Sequence, residues 1–372
     1  GLIFIILGVG CLKPNISTMV GGMYAPKDGR RDAGFYIFYM GINLGAMLAP
    51  MVCSAVSESL GWHYGFGLAG VGMILGLVVV VRGRRLLRSP AGGRPRALGP
   101  GTRLGPIVAV AGTVPLCALL LWMDDWGRLS IQVVTVVVVG VLGGTALRSH
   151  GPTRGRVVAL LVLMGFHTAF WAAFEQVGSS FTVLADAHVD RVVAGLTIPA
   201  PALQSINGML ILALAPVVSW LWRRLAARSL EPRIPTKFAL GLALLGAGFL
   251  CFALGISQAD PTVSLYWVVL CYLLMTIGEL CLSPVGLSVV TDLAPKGMTA
   301  FCMGAWFLTY ANGHLLSGWI ATMTASGAET GTVAELSRYT EVFSAVGLGV
   351  LGLSGVLLMM KRWLERRIEE LG

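Results

Sequence analysis

The chain has 372 residues, of which 56% are hydrophobic and only 12% are charged, and its mean hydropathy is +0.79. Soluble domains are about 45–50% apolar and about 25% charged, so this composition excludes a soluble globular protein. The net charge of +9 does not indicate a nucleic-acid-binding protein, because nearly all basic residues lie in the segments outside the apolar runs. The composition therefore predicts an all-α, polytopic membrane protein.

Eleven apolar runs follow one another along the chain, and each is long enough to cross about 30 Å of hydrocarbon as an α-helix. The predicted spans are about 1–22, 34–56, 64–81, 104–123, 131–147, a run that begins near Val157, then 202–225, 238–256, 265–291, 299–323 and a last span that follows an outer loop at 325–341. A short outer turn at 124–128 is predicted between the fourth and fifth spans. The basic, Pro- and Gly-rich segment 82–103 marks a boundary between two halves.

Nearly all of the 27 Lys and Arg residues lie in alternate loops between the predicted spans. The exceptions are Lys13, Arg128, Arg191 and Arg338. Because cytoplasmic loops carry an excess of basic residues, the arginine-rich loops and the C-terminus are predicted to be cytoplasmic. An odd number of spans that ends in the cytoplasm begins outside, so the chain, which starts with Gly and shows no signal peptide, is expected to be N-terminally incomplete.

One Lys and two Glu residues lie inside predicted spans. A charge at bilayer depth costs about 2.5–3.5 kcal/mol on insertion scales, so such a group normally faces a wet cavity and has a partner. Lys13, beside the helix-weakening Pro14, is the candidate counter-charge for Glu175 and Glu279. Two carboxylates that compete for one ammonium predict a site that can hold or lose a proton.

Polar and aromatic side chains at the same depth are candidates for the wall of that cavity. Asn43 lies between Gly41 and Gly45, which favour close helix packing. Trp171 lies one turn before Glu175 and shares its helix face. Further polar or aromatic residues within spans are His167, Asn207, Trp306 and Asn312. A buried His is more often a packing residue than a titrating one, so both interpretations of His167 stay open.

The loop after the first span carries a mixed-sign cluster that includes Arg30, Arg31 and Asp32. Such a cluster is either a solvated surface or a latch that pairs with a neighbouring helix bundle on the cytoplasmic side. The seven cysteines all lie in apolar runs and predict no disulfide framework. No spacing of Cys and His indicates a metal site, and no nucleophile–base pair favours a membrane-embedded enzyme.

Three blocks of sequence combine charged residues, Gly and Pro within or beside apolar runs. The blocks are Gly8-x-Gly10-x-x-Lys13-Pro14-Asn15 followed by Asp28-x-Arg30-Arg31-Asp32 and residues 35–45, then residues 170–180, and then residues 278–288. Together they resemble the proton-coupled oligopeptide transporter family. That family belongs to the major facilitator superfamily, in which two six-helix bundles open a central site alternately to each side.

The resemblance implies a major facilitator fold that lacks its first three helices. Residues 1–81 would be the C-terminal half of the N-terminal bundle, residues 82–155 a basic linker with two accessory transmembrane helices, and residues 156–372 the C-terminal six-helix bundle.

The resemblance also implies roles for the candidate residues. Lys13 and Glu175 would form a salt bridge whose protonation gates transport. Glu279 and Asn207 would receive the amino terminus of a peptide, and Asn43 would hold its backbone. The aromatic residues Trp171 and Trp306 would line side-chain pockets, and Lys13 would bind the peptide carboxylate once it is released from Glu175. The family usually has Pro after the Asn207 equivalent, where this chain has Gly208.

The function that these roles imply is proton-coupled symport of di- and tripeptides into the cell by alternating access. The protein would be a monomer in the lipid bilayer of the bacterial inner membrane, with a proton gradient as its driving force and no cofactor, enzymatic activity or nucleic-acid partner. The alternatives are a family member that carries nitrate or a peptide-like drug, and a non-transporting membrane sensor or scaffold. Lys13 together with Glu279 favours a zwitterion over a small anion.

Overall fold

The computed structural model describes residues 2–24, 28, 30–83, 111–115, 117–118, 124–260, 262–325 and 332–369. Its helices are α1 (Leu2–Gly22), α2 (Arg31–Leu60), α3 (Trp62–Gly83), α4 (Asp124–Arg148), α5 (Gly151–Phe174), α6 (Ser180–His188), α7 (Ser205–Ala226), α8 (Ile234–Ser257), α9 (Leu265–Leu293), α10 (Thr299–Thr324) and α11 (Thr332–Glu369). Residues 111–115 and 117–118 are also helical. Two 3₁₀ turns, Glu175–Gly178 and Ala200–Gln204, precede α6 and α7.

The all-α membrane architecture predicted from composition is confirmed. Eight segments of the described residues are long and apolar enough to cross a bilayer. The helices α2 and α10, with 30 and 26 residues, are also long enough to span 30 Å. Most of the predicted span 104–123 lies outside the described residues.

Three local predictions are wrong. The turn expected at 124–128 is the first part of α4. The last helix already begins at Thr332, inside the predicted outer loop, because Tyr339 and Phe343 are buried at helical spacing and pack against each other. The span that contains Glu175 is interrupted, since α5 ends at Phe174 and a 3₁₀ turn leads into α6.

Short strands pair at one end of the helices. The strand β1 (Val189–Asp190) pairs in parallel with β4 (Val263–Ser264), and β2 (Val192–Val193) pairs antiparallel with β3 (Leu196–Thr197). Val189 and Val263, which are register partners, are both buried. These pairs fix the connection before α7 and the connection before α9 at the same end of the molecule.

The opposite end is referred to below as the arginine-rich face. It consists of the beginning of α2 and α5 and the ends of α7 and α11, and it carries Arg30, Arg31, Arg154, Arg156, Arg223, Arg224, Arg228, Lys361, Arg362, Arg366 and Arg367. This distribution fits the alternation of basic loops in the sequence.

Close packing of α8 against α9 and α11 forms the core of the second half. A Cβ atom added to Gly278 of α9 would lie 2.6 Å from the carbonyl oxygen of Gly241 in α8, and the reciprocal contact is 2.8 Å. In the same way, a Cβ on Gly246 would meet the carbonyl oxygen of Gly347 in α11 at 2.8 Å. Because only glycine permits this approach, these residues fix the distance between the helices and the position of the residue after Gly278, Glu279.

The first half meets the second mainly through α2. This helix packs against α3, its neighbour in sequence, and against α7 and α9. The helix α1 packs along α10, and α4 packs against α5 and α10. The side chains of α1, α3 and α4 are largely exposed.

The glycine contact between α8 and α9 predicts the effect of one methyl group. We expect Gly278→Ala to destabilise the protein by about 1–3 kcal/mol, because the added carbon overlaps a backbone carbonyl that cannot move aside. The measurement is the apparent unfolding temperature in detergent. Gly318→Ala on α10 is the matched control, since no atom lies within 4 Å of its added Cβ, and it should unfold at or above the wild-type temperature. Equal behaviour of the two variants would contradict the packing argument.

Candidate functional site

Glu279 is the centre of a buried polar cluster formed by three helices. The side chain is only 2% exposed in α9. The Tyr39 hydroxyl of α2 donates to Oε1, and Asn207 Nδ2 of α7 donates to Oε2 at 2.8 Å. Asn207 Nδ2 also donates to Thr276 Oγ1 at 3.1 Å. The site therefore joins the first half of the chain, through α2, to the second.

A proline beside Glu279 creates a second contact between the halves. Pro284 has no backbone N–H, so the carbonyl of Leu280 one turn earlier lacks its usual helical donor. That carbonyl instead accepts a hydrogen bond of 2.6 Å from the Tyr36 hydroxyl of α2. Trp222 Nε1 of α7 donates to the same hydroxyl at 2.9 Å. The proline thus supplies an acceptor for α2 without breaking α9.

Asn43 lies one turn beyond Tyr39 on α2. Its Nδ2 donates to the Tyr39 carbonyl at 3.0 Å, so its amide contacts its own helix in this conformation. Gly208 of α7 lies beside it, since an added Cβ would be 3.7 Å from the Asn43 carbonyl oxygen. Asn43, Asn207 and Glu279 are therefore brought to the same region. The Asn207 amide reaches Glu279 although the next residue is Gly208 and not Pro.

Glu175 lies at the interruption between α5 and α6. Its Oε2 is 3.5 Å from Nδ1 of His314 on α10. The next residue, Gln176, anchors the 3₁₀ turn to α10, because its Nε2 donates to the carbonyl oxygen and to Oγ of Ser317, both at 2.9 Å. Glu175 is thus fixed at a helix break, with a histidine as its nearest partner among the ion pairs of the described residues.

Lys13 is not paired with either buried carboxylate in this structure. Its side chain is exposed in the middle of α1, and in the part of the chain that the structure describes no carboxylate lies within ion-pair distance of it. The helix α1 nevertheless packs along α10, which carries His314. The Lys13–Glu175 salt bridge therefore stays a prediction about another conformation.

Trp171 and Trp306 meet around one buried histidine. Trp171 Nε1 donates to His167 Nε2 at 3.0 Å, and the imidazole of His167 lies 4.1 Å from the Trp306 ring, centroid to centroid. His167 Nδ1 also contacts the Thr309 hydroxyl. The Tyr310 ring packs 4.4 Å from Trp171. Both ring nitrogens of His167 thus have partners, which favours the packing interpretation of this residue.

The mixed-sign cluster at the beginning of α2 does pair with other helices. Arg31 contacts the carboxylate of Asp292 and the hydroxyl of Thr291 at the end of α9. Arg30, by contrast, pairs with Asp28 of its own loop and is fully accessible to solvent. The contact predicted for a latch is confirmed for Arg31 and is absent for Arg30 within the described residues.

A buried lysine strengthens the same region. Lys237, at the beginning of α8, lies 2.5 Å from Glu231 and 3.9 Å from Asp32 of α2, and its ammonium lies over the Trp222 ring at 5.1 Å. Its side chain is 4% exposed. A cavity of about 220 Å³ lies beside these groups and is lined by Arg31, Asp32, Tyr36 and Asp292, among others. Paired charges therefore join α2 to α8 and to α9 at the arginine-rich face.

Several of these residues are not singled out by the sequence analysis. Tyr36 and Tyr39 are spaced by three and four residues from each other and from the predicted Asn43, so all three share one face of α2, and this spacing is an available signal. His314 and Lys237 gave no comparable signal, because their roles depend on residues far away in the sequence. Among the described residues no group of three or more His, Cys, Asp or Glu side chains is arranged to hold a metal ion.

Comparison with known protein families matches residues 1–341 to the POT family. The chain is 35% identical to the peptide transporter YePEPT of Yersinia enterocolitica, over 86% of this chain and 67% of that protein. It is 32% identical to the dipeptide and tripeptide permease B of Salmonella typhimurium, over 100% of this chain and 78% of that protein.

A solved structure has the same fold. It is a crystal structure of a mutant of the peptide transporter POT in complex with alafosfalin, with 36% sequence identity and a TM-score of 0.72. The match covers 98% of this chain and 74% of that chain. The fold, and not only the motifs, is therefore shared with these transporters.

The Arg31–Asp292 contact predicts an energetic coupling between α2 and α9. In a double-mutant cycle with Arg31→Gln and Asp292→Asn, we expect a coupling energy of about 0.5–3 kcal/mol, because the guanidinium is largely buried. The measurement is the apparent free energy of unfolding in mixed micelles. The control cycle uses Arg30→Gln and Asp28→Asn, an exposed pair within one loop that should show no measurable coupling. Additive effects in both cycles would rule out the latch.

Proposed function

The chain belongs to the POT family, and on this basis we propose that it is a secondary active transporter that carries di- and tripeptides together with protons. The membrane-spanning architecture, the family match and the named activities of two relatives support this function. The single observation that carries the proposal is the buried Glu279 carboxylate, which two helices on different halves of the chain hold in place.

We propose that Glu279 binds the amino terminus of the peptide. A carboxylate at bilayer depth is costly unless it serves a bound cation, and its present donors, Tyr39 and Asn207, are neutral groups that a peptide ammonium can replace. Asn207 would stay as a second contact of the amino terminus. Asn43, whose amide now bonds only within α2, is the candidate contact for the peptide backbone.

The aromatic cluster supports a pocket for peptide side chains. Trp171 and Trp306 lie on α5 and α10 around His167. The Trp306 indole N–H is buried and has no hydrogen-bond acceptor among the described residues, so it is a donor that a ligand can satisfy. Large aromatic surfaces bind varied side chains through apolar contact, which suits a carrier of many different peptides.

We propose that proton coupling depends on Glu175 and Lys13. Glu175 lies at a helix break and contacts His314, so its charge responds to movements of α6 and α10. When α1 moves along α10, the Lys13 ammonium would replace His314 as the partner of Glu175. Protonation of Glu175 would then release Lys13, which would bind the peptide carboxylate.

Alternating access requires that the two halves separate. We propose that residues 1–81 and 156–372 belong to the two bundles and that residues 82–155 connect them. The arginine-rich face would be cytoplasmic, as the positive-inside rule requires for a bacterial plasma membrane protein. Arg31 and Lys237 would then hold the cytoplasmic side closed, and inward release would require these pairs to break. We propose a monomer as the transporting unit.

The alternatives make different demands on the same site. A nitrate carrier would not place a carboxylate at its binding site, because two negative charges repel each other. A peptide-like drug with a free amino group would fit Glu279 as a peptide does. A sensor or scaffold that does not transport would gain nothing from Glu175 and Glu279, whose placement at membrane depth is costly. Competition of labelled dipeptide uptake by nitrate would separate the first alternative from peptide transport.

The role of Glu279 predicts a specific loss of affinity. We expect Glu279→Gln to weaken binding of a dipeptide with a free amino terminus by tenfold to a hundredfold, or about 1.4–2.8 kcal/mol, because the charge-assisted hydrogen bond is lost. Binding of the same dipeptide with an acetylated amino terminus should not change. The measurement is equilibrium binding to purified protein, with Glu341→Gln, an exposed carboxylate on α11, as the control. Equal losses for both ligands would contradict the assignment.

The role of Glu175 predicts a separation of transport modes. In proteoliposomes, Glu175→Gln should abolish peptide accumulation driven by a pH gradient but retain counterflow exchange, because a neutral side chain cannot couple to protons. Lys13→Gln should also abolish accumulation, but it should weaken counterflow exchange as well, because Lys13 is proposed to bind the peptide carboxylate. Continued accumulation by Glu175→Gln under a pH gradient would contradict the proposal for proton coupling. It would not affect the proposal for peptide binding.

A further inference from the structure

A second cavity lies at the arginine-rich face, away from Glu279. It has a volume of about 950 Å³ and is formed by the beginning of α5 and the end of α11. Four arginines line it: Arg154, Arg362, Arg366 and Arg367. None of the residues assigned to peptide or proton binding contributes to it.

The four arginines are the charged side chains among the described residues that line this cavity. Within the described ranges, no carboxylate forms an ion pair with any of them. Glu365, which is adjacent to Arg366 in the sequence, pairs with Arg233 at 3.1 Å and does not line the cavity. The helix α5 begins at Gly151 in the cavity wall, so the positive end of its dipole adds to the field. The described lining of the cavity is therefore positively charged.

The rest of the wall is apolar or aromatic. Val158 and Met359 line the apolar part of the wall, each about one turn farther into its helix than the nearest arginine. Met359 is 79% exposed. Trp363 follows Arg362 in the sequence, and Arg367 lies over its ring at 5.4 Å. Tryptophan and arginine at the end of a span are typical of the boundary between hydrocarbon and headgroups.

We propose that this cavity binds the headgroup of an anionic phospholipid. The four arginines would hold the phosphate and a second negative charge, and Met359 and Val158 would contact the upper part of an acyl chain. Arg is well suited to phosphate because its planar group donates two parallel hydrogen bonds. Basic pockets between spans on the cytoplasmic side are suited to such headgroups.

A free phosphate ion shares the headgroup chemistry but not the apolar contacts. It would use the arginines alone and gain nothing from the exposed Met359 beside them. The wall combines four arginines with the apolar or aromatic side chains of Val158, Met359 and Trp363, and this combination matches a molecule with a charged end and a hydrocarbon end. The lipid is therefore the occupant that accounts for the whole wall.

Native mass spectrometry of the purified protein in detergent tests the proposal with dioleoylphosphatidylglycerol, dioleoylphosphatidylcholine and inorganic phosphate as probes. We expect the wild-type protein to retain the anionic lipid in preference to the zwitterionic one. Arg362→Gln with Arg366→Gln should reduce its retention at least tenfold, because each arginine near a headgroup contributes substantially to binding. The matched control is Arg224→Gln with Arg228→Gln, two exposed arginines with the same spacing on the same face.

Each outcome decides the question. Equal loss in the two double variants would show a diffuse surface charge and would overturn the site. Equal retention of the two lipids would overturn the anionic headgroup, and displacement of the lipid by millimolar inorganic phosphate would assign the cavity to free phosphate instead. If the Arg362 and Arg366 variant does not fold, Arg154→Gln alone should still reduce lipid retention severalfold, and unchanged retention there would overturn the proposal.

Discussion

A carboxylate in the middle of a membrane bundle must be surrounded by hydrogen-bond donors, and this requirement on Glu279 organises the contact between the two halves of the chain. Tyr39 and Asn207 meet it by bringing α2 and α7 onto α9. The packing of Gly278 against Gly241 fixes α9 against α8, so the carboxylate is held on a rigid helix pair. Both donors are neutral side chains, so Glu279 has no cationic partner among these contacts.

The contacts of α2 with α9 form an ordered series. Tyr39 meets Glu279, Tyr36 meets the carbonyl of Leu280, and Arg31 meets Asp292 at the arginine-rich face. Residue numbers fall along α2 as they rise along α9, so the two helices run antiparallel through the interface. The first two contacts lie beside the proposed peptide site and the third lies at its proposed exit. Occupation of Glu279 and opening of that exit therefore act on the same pair of helices.

The sequence predicted the long spans well, because apolar length depends on local composition alone. It also identified Glu279 and Asn207, because polar side chains within an apolar span are costly and therefore noticeable. It did not identify His314 as the neighbour of Glu175, since that contact joins residues distant in sequence. Lys13 shows the reverse case: its charge is evident from the sequence, but no carboxylate pairs with it among the described residues. The interruption at Glu175 was missed because the apolar run continues on both sides of it.

The 3₁₀ turn at Glu175 divides one span into a long helix, α5, and a short helix, α6. Such a joint bends more easily than a continuous helix, because its hydrogen bonds are less well aligned. Gln176 ties the joint to Ser317 of α10. Bending there would change the angle of α6 while α5 keeps its contacts, with the Glu175 carboxylate at the joint.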